Sequence, residues 1–281
     1  MGQRPSGIMK RRSETLFDFS LVKMYYHISP EGAEHPIYDI PATGFFDPAI
    51  LKEALQRSGE TVQAISNALP ASFIGTSLCK VSVVQLLFAS MYNQLLDMYP
   101  DNINYQVEMH DDHAHLGYKI KELRSIPVPT EPEERIAFLL QHWEEYFTNF
   151  ITPAIEAIAE AGDLKPDAIW QQFSGQLKMT QDFIADHMQM PPLTEQFLAD
   201  GKLLAEFLDP ALFNRRRNPY YLANPRYVEN PYKPEEKWLV PSSCCMYDRR
   251  ENGTKCYTCP RMTSDEREAR KCEILAEAAV H

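Results

Sequence analysis

The sequence predicts an α+β fold that is mainly helical. Two stretches, residues 14–46 and 105–120, mix aromatic and β-branched residues with polar ones, as short strands do. Most of the remaining chain repeats its apolar residues at helical spacing, and the Pro-rich piece Ile126-Pro-Val-Pro-Thr-Glu-Pro132 separates a mixed half from a helical one. With 281 residues, 44% of them apolar, the chain can fill a substantial core.

In chain order, Leu16, Phe17, Phe19, Val22, Tyr25 and Ile28, then Ile37, Tyr38 and Ile40, suggest short strands. From Pro48, the spacing of Ile50, Leu51, Ala54 and Leu55, continuing to Val62 and Ile65, is helical. Val81, Val84, Leu87, Phe88 and Met91 extend the pattern over 77–99. Gln85, Asn93, Gln94 and Asp97 interrupt that stretch, which therefore reads as a buried helix and not a membrane span. Tyr105, Val107 and Met109 alternate up to a polar tip of Asp111, Asp112 and His113, and Leu116, Tyr118 and Ile120 alternate after it, predicting a hairpin.

The Pro-rich divide places a boundary near 126, giving a mixed region 1–125 and a helical region 126–281. Thr130 with Glu133 forms a capping-box pattern. Helices follow over 131–161, kinked at Pro153, then over 166–188 and 194–208. Trp143, Phe147, Phe150, Trp170, Phe173, Phe183, Phe197 and Phe207 are assigned to the core. Asn218-Pro219-Tyr220-Tyr221, Asn224-Pro225-Arg226-Tyr227 and Asn230-Pro231-Tyr232-Lys233 repeat a turn-forming unit, so 218–235 reads as an ordered loop over the helices. Its tyrosines anchor that loop. Thr263 with Glu266 is a second capping box, opening a last helix that runs to about Ala279.

A net charge of -11 argues against nucleic acid or an anionic membrane as a partner. No apolar run of secretory length follows Lys10, Arg11 and Arg12, and Met1-Gly2 with Ser6 is too short a match to carry lipidation, so the expectation is a cytoplasmic monomer. Two cationic or metal-like groupings stand out. Arg215, Arg216 and Arg217, with Arg226, Lys233, Arg249 and Arg250, are candidates for a positive surface that holds an anionic substrate. His110, His113 and His115 with Asp111 and Asp112 look metal-like, yet lack a further partner at a diagnostic spacing and read equally as a polar hairpin tip.

Six cysteines are too few for a disulfide scaffold, and four of them fall within sixteen residues. Cys244-Cys245, ten residues, then Cys256-Tyr-Thr-Cys259 satisfies the ligand count of a tetrahedral zinc site, a 4Fe-4S cluster or a 2Fe-2S cluster. Adjacent cysteines in extended backbone point to opposite sides, so the pair can share a centre only if the chain turns there. A dinuclear cluster tolerates the adjacency better than a single ion. Arg249, Arg250, Lys255 and Arg261, with the start of the last helix, would offset the negative charge of such a centre. Cys79, in an apolar helix, reads as a buried small hydrophobe and Cys272 as a free thiol.

The Cys-Cys-x10-Cys-x2-Cys pattern over 244–259 resembles the signature of the FhuF-like ferric-siderophore reductases. The resemblance implies that Cys244, Cys245, Cys256 and Cys259 ligate a 2Fe-2S cluster carried by a loop at 241–263. It also implies that one electron passes to Fe(III) in a siderophore, with release of Fe(II). The donor would be a ferredoxin, a flavodoxin or a flavoprotein reductase, and the seven cations named above would meet the ferric siderophore. Two readings compete: a zinc-stabilised interaction module whose cysteines pin the C-terminus, and a protein of siderophore biosynthesis. The chain length and lack of a phosphate-binding loop weigh against the second.

Overall fold

The computed structural model describes residues 17–110 and 113–278. The first element departs from the strand expectation. Phe19, Val22 and Tyr26 recur at helical spacing, and the Asp18 carboxylate accepts the Ser20 N–H at 2.8 Å, so α1 (Ser20–Tyr26) is a short helix. It ends with His27 in the left-handed region (φ 57°). The strands β1 (Ile28–Ser29) and β2 (Pro36–Pro41) follow.

Between β4 (Ile103–His110) and β5 (His113–Ile120) lies the predicted hairpin, with Tyr105 opposite Tyr118. The sheet order is β1-β5-β4-β2, antiparallel except where β1 runs beside β5. The two buried tyrosines point their hydroxyls at helices: Tyr105 meets Ser58 at 2.9 Å and Tyr118 meets Ser77 at 2.7 Å. Each ring buries its apolar body while its polar end stays satisfied.

The helix α2 (Pro48–Thr61) is capped by Asp47, whose carboxylate accepts from Ala49 and Ile50. It stops at Thr61 and does not run on through Ile65, because Gln63 adopts the left-handed conformation (φ 52°) and Ile65 is left 68% exposed. The chain then enters α3 (Ala68–Tyr92), buried on nearly every face. It is long and apolar enough to cross a membrane, yet 83% of its most apolar window is enclosed by the rest of the protein. Cys79 is buried in it, as expected, and Cys272 is exposed on the last helix.

Beyond α3, the short strands β3 (Gln94–Leu96) and β6 (Ser125–Pro127) pair across the Pro-rich divide. One buried apolar cluster runs from Phe17 to Tyr220 and draws on both sides of it. The helix α4 (Pro132–Tyr146) begins without the predicted capping box: Glu131 is the capping residue, no side-chain bond forms, and Pro132 opens the first turn instead. A π-helical turn over 147–151 joins α4 to α5 (Thr152–Ala161), accommodating Pro153 where a kink was expected. Then come α6 (Pro166–Trp170), α7 (Phe173–His187) and α8 (Pro191–Lys202). Phe207, assigned to the core, is 59% exposed because the π-helical turn over 203–207 rotates the end of the helical run.

The stretch read as a loop over 218–235 is only partly one. Arg226–Asn230 forms β7 and Lys233–Val240 forms β8, an antiparallel hairpin whose turn uses the third Asn-Pro unit. The apolar run Trp238-Leu239-Val240 carries the strand past the repeat. Tyr220 packs among Phe147, Phe173 and Phe213, whereas Tyr221 and Tyr232 are exposed. The last helix, α9 (Ser264–Ala278), closes the described chain.

A buried ion pair locks three helices. Arg135 on α4 meets Asp200 on α8 through Nε (2.9 Å) and Nη2 (2.5 Å), and also donates to the Ala89 carbonyl and Asn93 Oδ1 of the α3 end, both at 2.8 Å. Ser90 and Gln196 complete the shell of Asp200 at 2.8 Å each. Asp200→Ala would strand the guanidinium, and we expect a loss of about 3–5 kcal/mol in chemical denaturation.

The imidazole of His142 is partly buried against Tyr99, Trp143 and Tyr146 and donates to Gln85 Oε1 at 3.2 Å. Burial pulls its pKa down to about 4. A depressed histidine stabilises the fold fully above its unfolded pKa near 6.5, and that contribution is lost as pH falls toward 4. The loss is on the order of 3 kcal/mol for this group. Melting temperatures recorded from pH 7 to pH 4 should fall, and should fall less steeply in His142→Gln.

Candidate metal centre

After Val240 the chain leaves β8 and passes against α7. A Cβ at Gly175 would sit 3.1 Å from Ser242 Oγ, so glycine permits this close approach, and Ser242 donates to the Gln171 carbonyl. Residues 243–263 contain no helix or paired strand beyond a single bridge, Ala64 with Arg250. Their shape is therefore set by fastenings. Ile65 N–H donates to the Arg249 carbonyl (3.2 Å) and Glu251 N–H to the Gln63 carbonyl (2.9 Å), using the connector where α2 stopped early. The Tyr247 ring stacks on Phe73 of α3, with centroids 5.9 Å apart, and the Arg250 guanidinium lies 4.1 Å from the Tyr247 ring centre.

The turn required beside the adjacent cysteines occurs at Met246, whose φ of 65° is left-handed and whose N–H donates to Cys244 Sγ at 3.3 Å. The second pair is held in a turn by Cys259 N–H on the Cys256 carbonyl (2.9 Å) and Met262 N–H on the Cys259 carbonyl (3.1 Å). From α9, Arg267 donates to the carbonyls of Tyr257 and Cys259 at 3.1 and 2.9 Å. The predicted capping box at the start of α9 forms in both directions, Thr263 N–H to Glu266 (2.8 Å) and Glu266 N–H to Thr263 Oγ1 (3.2 Å).

These fastenings bring the four thiols into one neighbourhood. Cys259 is buried, Cys244 and Cys245 are partly buried, and Cys256 is exposed. Burial, and then the proximity of Cys256, Cys244 and Cys259, pushes the Cys245 thiol up to about 11; the Cys259 thiol is raised first by burial and then by Cys244 and Cys256. Opposing this, Arg261 places Nη1 3.7 Å from Cys244 Sγ and 3.2 Å from Asp248 Oδ2. Lys255 instead pairs with Glu266, so Arg261 is the cation among those predicted that reaches a cysteine sulfur.

The donor set fits a thiolate-ligated iron-sulfur group: sulfur donors alone, an N–H and a guanidinium directed at sulfur, and one side open to solvent. A mononuclear ion would need its sulfurs about 2.3 Å from a single point. Among the described residues, no three His, Cys, Asp or Glu side chains converge closely enough to hold one ion.

The seven candidate substrate cations are dispersed. Arg215 is clamped by Glu156 (2.7 Å) and Asp167 (3.0 Å). With the exposed Arg216 and Arg217 it lines a cleft of 640 Å³ that reaches Ser242. Arg226 is exposed at the start of β7, Lys233 pairs with Glu236 (2.9 Å), Arg249 contributes its backbone, and Arg250 covers Tyr247. Of the histidine group, His110 and His115 stack with centroids 4.6 Å apart, and His27 stacks on His115 at 4.1 Å. Asp111 and Asp112 lie outside the described residues. Reading the sequence missed two features: Asp248, which joins Arg261 beside Cys244, and a 740 Å³ cleft lined by α1, α3, α7 and β8 that opens on Cys256, Tyr257 and Thr258. The apolar run Trp238-Leu239-Val240 was the available signal for a strand wall there.

Residues 242–261 match the family model described as the FhuF 2Fe-2S C-terminal domain. The match takes in all four cysteines, the Met246 turn and Arg261, and stops before α9. No curated protein matches the chain. The cofactor of such a domain is a 2Fe-2S cluster.

Proposed function

We propose, starting from a FhuF 2Fe-2S C-terminal domain at residues 242–261, that the protein is a cytoplasmic ferric-siderophore reductase and that Cys244, Cys245, Cys256 and Cys259 are the cluster ligands. The observation that carries this reading is the gathering of four thiols on one fastened segment with Cys256 exposed at its outer side. When bound, the cluster supplies one electron at a time to Fe(III) in the siderophore. Hard oxygen ligands hold the resulting Fe(II) far less tightly, and the iron is released.

The chain's own residues set the conditions for that transfer. Met246 N–H and the Arg261 guanidinium stabilise negative charge on Cys244 sulfur, which favours the reduced state. Burial of Cys259 and the Tyr247–Phe73 stack exclude water from the inner side, while the exposed Cys256 gives electrons a short path outward. A ferredoxin, a flavodoxin or a flavoprotein reductase is the proposed donor.

Anaerobic purification should yield a red-brown protein with about two irons and two sulfides per chain. Its dithionite-reduced EPR signal should disappear when a ferric siderophore is added. Serine at any one of the four cysteines should lower iron content several-fold. A colourless protein that holds one zinc, and stays colourless after reconstitution with iron and sulfide, overturns the reading. Arg261→Gln should lower the midpoint potential by roughly 10–40 mV in an EPR-monitored redox titration, the equivalent of a partly exposed ion pair in a one-electron couple.

A further inference from the structure

The cleft at Arg215, Arg216 and Arg217 carries an excess of positive charge in a chain whose net charge is -11. Three arginines border it against one acidic side chain, Asp167. Arg215 is the anchored member of the run: Glu156 and Asp167 hold its guanidinium, and its N–H donates to the Pro210 carbonyl at 3.2 Å. Arg216 and Arg217 follow on this fixed turn. Both are exposed, and among the described residues neither makes an ion pair or a hydrogen bond.

This excess lies beside the cysteine segment. Ser242 belongs to the same cleft and donates to the carbonyl of Gln171, which also borders it. Cys244 comes two residues later, and at a chain reach of about 3.3–3.6 Å per residue its Cα stands within about 7 Å of that of Ser242. Following the adjacent pair, Arg249 is exposed with no partner for its side chain among the described residues, and the half-exposed Arg261 approaches Cys244 Sγ at 3.7 Å. Of the acids nearby, Asp248 is paired with Arg261 and Glu251 is exposed. The cleft that opens on Cys256 differs: Lys80 and Lys237 there are matched by Asp182 and Asp186.

We propose that Arg216 and Arg217 form the rim of a docking face for the electron donor, and that this donor is a small carrier protein with an acidic surface, of the flavodoxin or ferredoxin kind. That the docked protein is an electron donor rests on the reductase reading. The step is a one-electron transfer: the reduced carrier loses one electron, the iron-sulfur centre gains it, and no bond forms or breaks. Two points select a protein over an anionic ferric substrate at this face. No cysteine borders the cleft, so a small molecule held in it would stop at Ser242, whereas a protein that covers about 800 Å² extends past two residues of chain and over the cysteine pair. The free guanidinium groups are also exposed at a rim and not enclosed, and rim charges steer and orient a large partner more than they hold a small one.

The test is stopped-flow reduction of the oxidised holoprotein by reduced flavodoxin, run beside photoreduced deazariboflavin as an uncharged reductant. Arg216→Glu combined with Arg217→Glu should slow reduction by flavodoxin about tenfold or more at low ionic strength, and Arg216→Gln combined with Arg217→Gln severalfold. Both differences from wild type should fall below about twofold near 1 M salt, where the screening length is about 3 Å. Iron content, the visible spectrum and the rate with deazariboflavin should match wild type. Wild-type rates with flavodoxin in both variants, a loss that persists at high salt, or an equal loss with deazariboflavin overturns the proposal. Variants that flavodoxin reduces normally, but that ferric citrate as an anionic chelate reoxidises slowly, place the substrate at this face and overturn it as well. The two readings separate cleanly. Salt-dependent reduction through Arg216 and Arg217 in a protein that no ferric chelate reoxidises supports the docking face and removes the reductase, and reoxidation by ferric chelates with both variants neutral keeps the reductase and removes the docking face.

Discussion

A helix without a polar face must be covered on all sides, and α3 imposes that requirement on the whole chain. Its hydroxyl groups bond back along the helix, Thr76 to the Ser72 carbonyl at 2.7 Å and Ser90 to the Leu86 carbonyl at 2.9 Å. Packing on every side, with a few side-chain bonds such as Ser77 to Tyr118 and Ser90 to Asp200, joins it to the rest of the fold. The sheet covers it through Tyr118, and α2, α5, α7 and α8 cover its other faces. Its C-terminal end is fixed by Arg135 and Asp200, so that three helices share one desolvated charge pair whose partners are all hydrogen-bonded.

The N-terminal end of the same helix sets up the metal segment. Because α2 terminates at Thr61, the Gln63 carbonyl is free to accept the Glu251 N–H and the Ile65 N–H to donate to the Arg249 carbonyl, and Phe73 on the first turns of α3 receives Tyr247. A chain bearing four thiols gains little from secondary structure of its own, since ligands must face inward from irregular backbone. Rigidity is borrowed from the most deeply buried element available. That arrangement holds the cysteine segment through contacts made outside the segment itself.

Electrostatics in this acidic protein are local. Arg261 stands beside Cys244 with Asp248 as its own partner, Arg267 ties down two carbonyls of the cysteine turn, and Arg215 is used to join α5 and α6. Of the basic residues that the sequence groups together, Arg215, Lys233 and Arg250 engage neighbouring side chains while Arg216, Arg217 and Arg226 are exposed, and among the described residues Lys80, isolated in sequence on an apolar helix, has no ion-pair partner.

The sequence by itself determined the helical character, the hairpin around Tyr105 and Tyr118, the burial of α3, the capping box at Thr263 and the cysteine spacing, because each is a local pattern whose period or ligand count is complete within a few residues. It did not determine α1, where aromatic and β-branched composition suggested strand while the 19, 22, 26 spacing and the Asp18 contact favoured helix. Nor did it reveal the β7–β8 hairpin, hidden by Asn-Pro units that run into its first strand and form its turn. The tertiary structure alone decided which cation meets a sulfur, where the cysteine segment is fastened and which cleft opens on Cys256. Those depend on contacts such as Ile65 with Arg249 and Phe73 with Tyr247, made between residues far apart in the chain, and no local periodicity records a partner almost two hundred residues away.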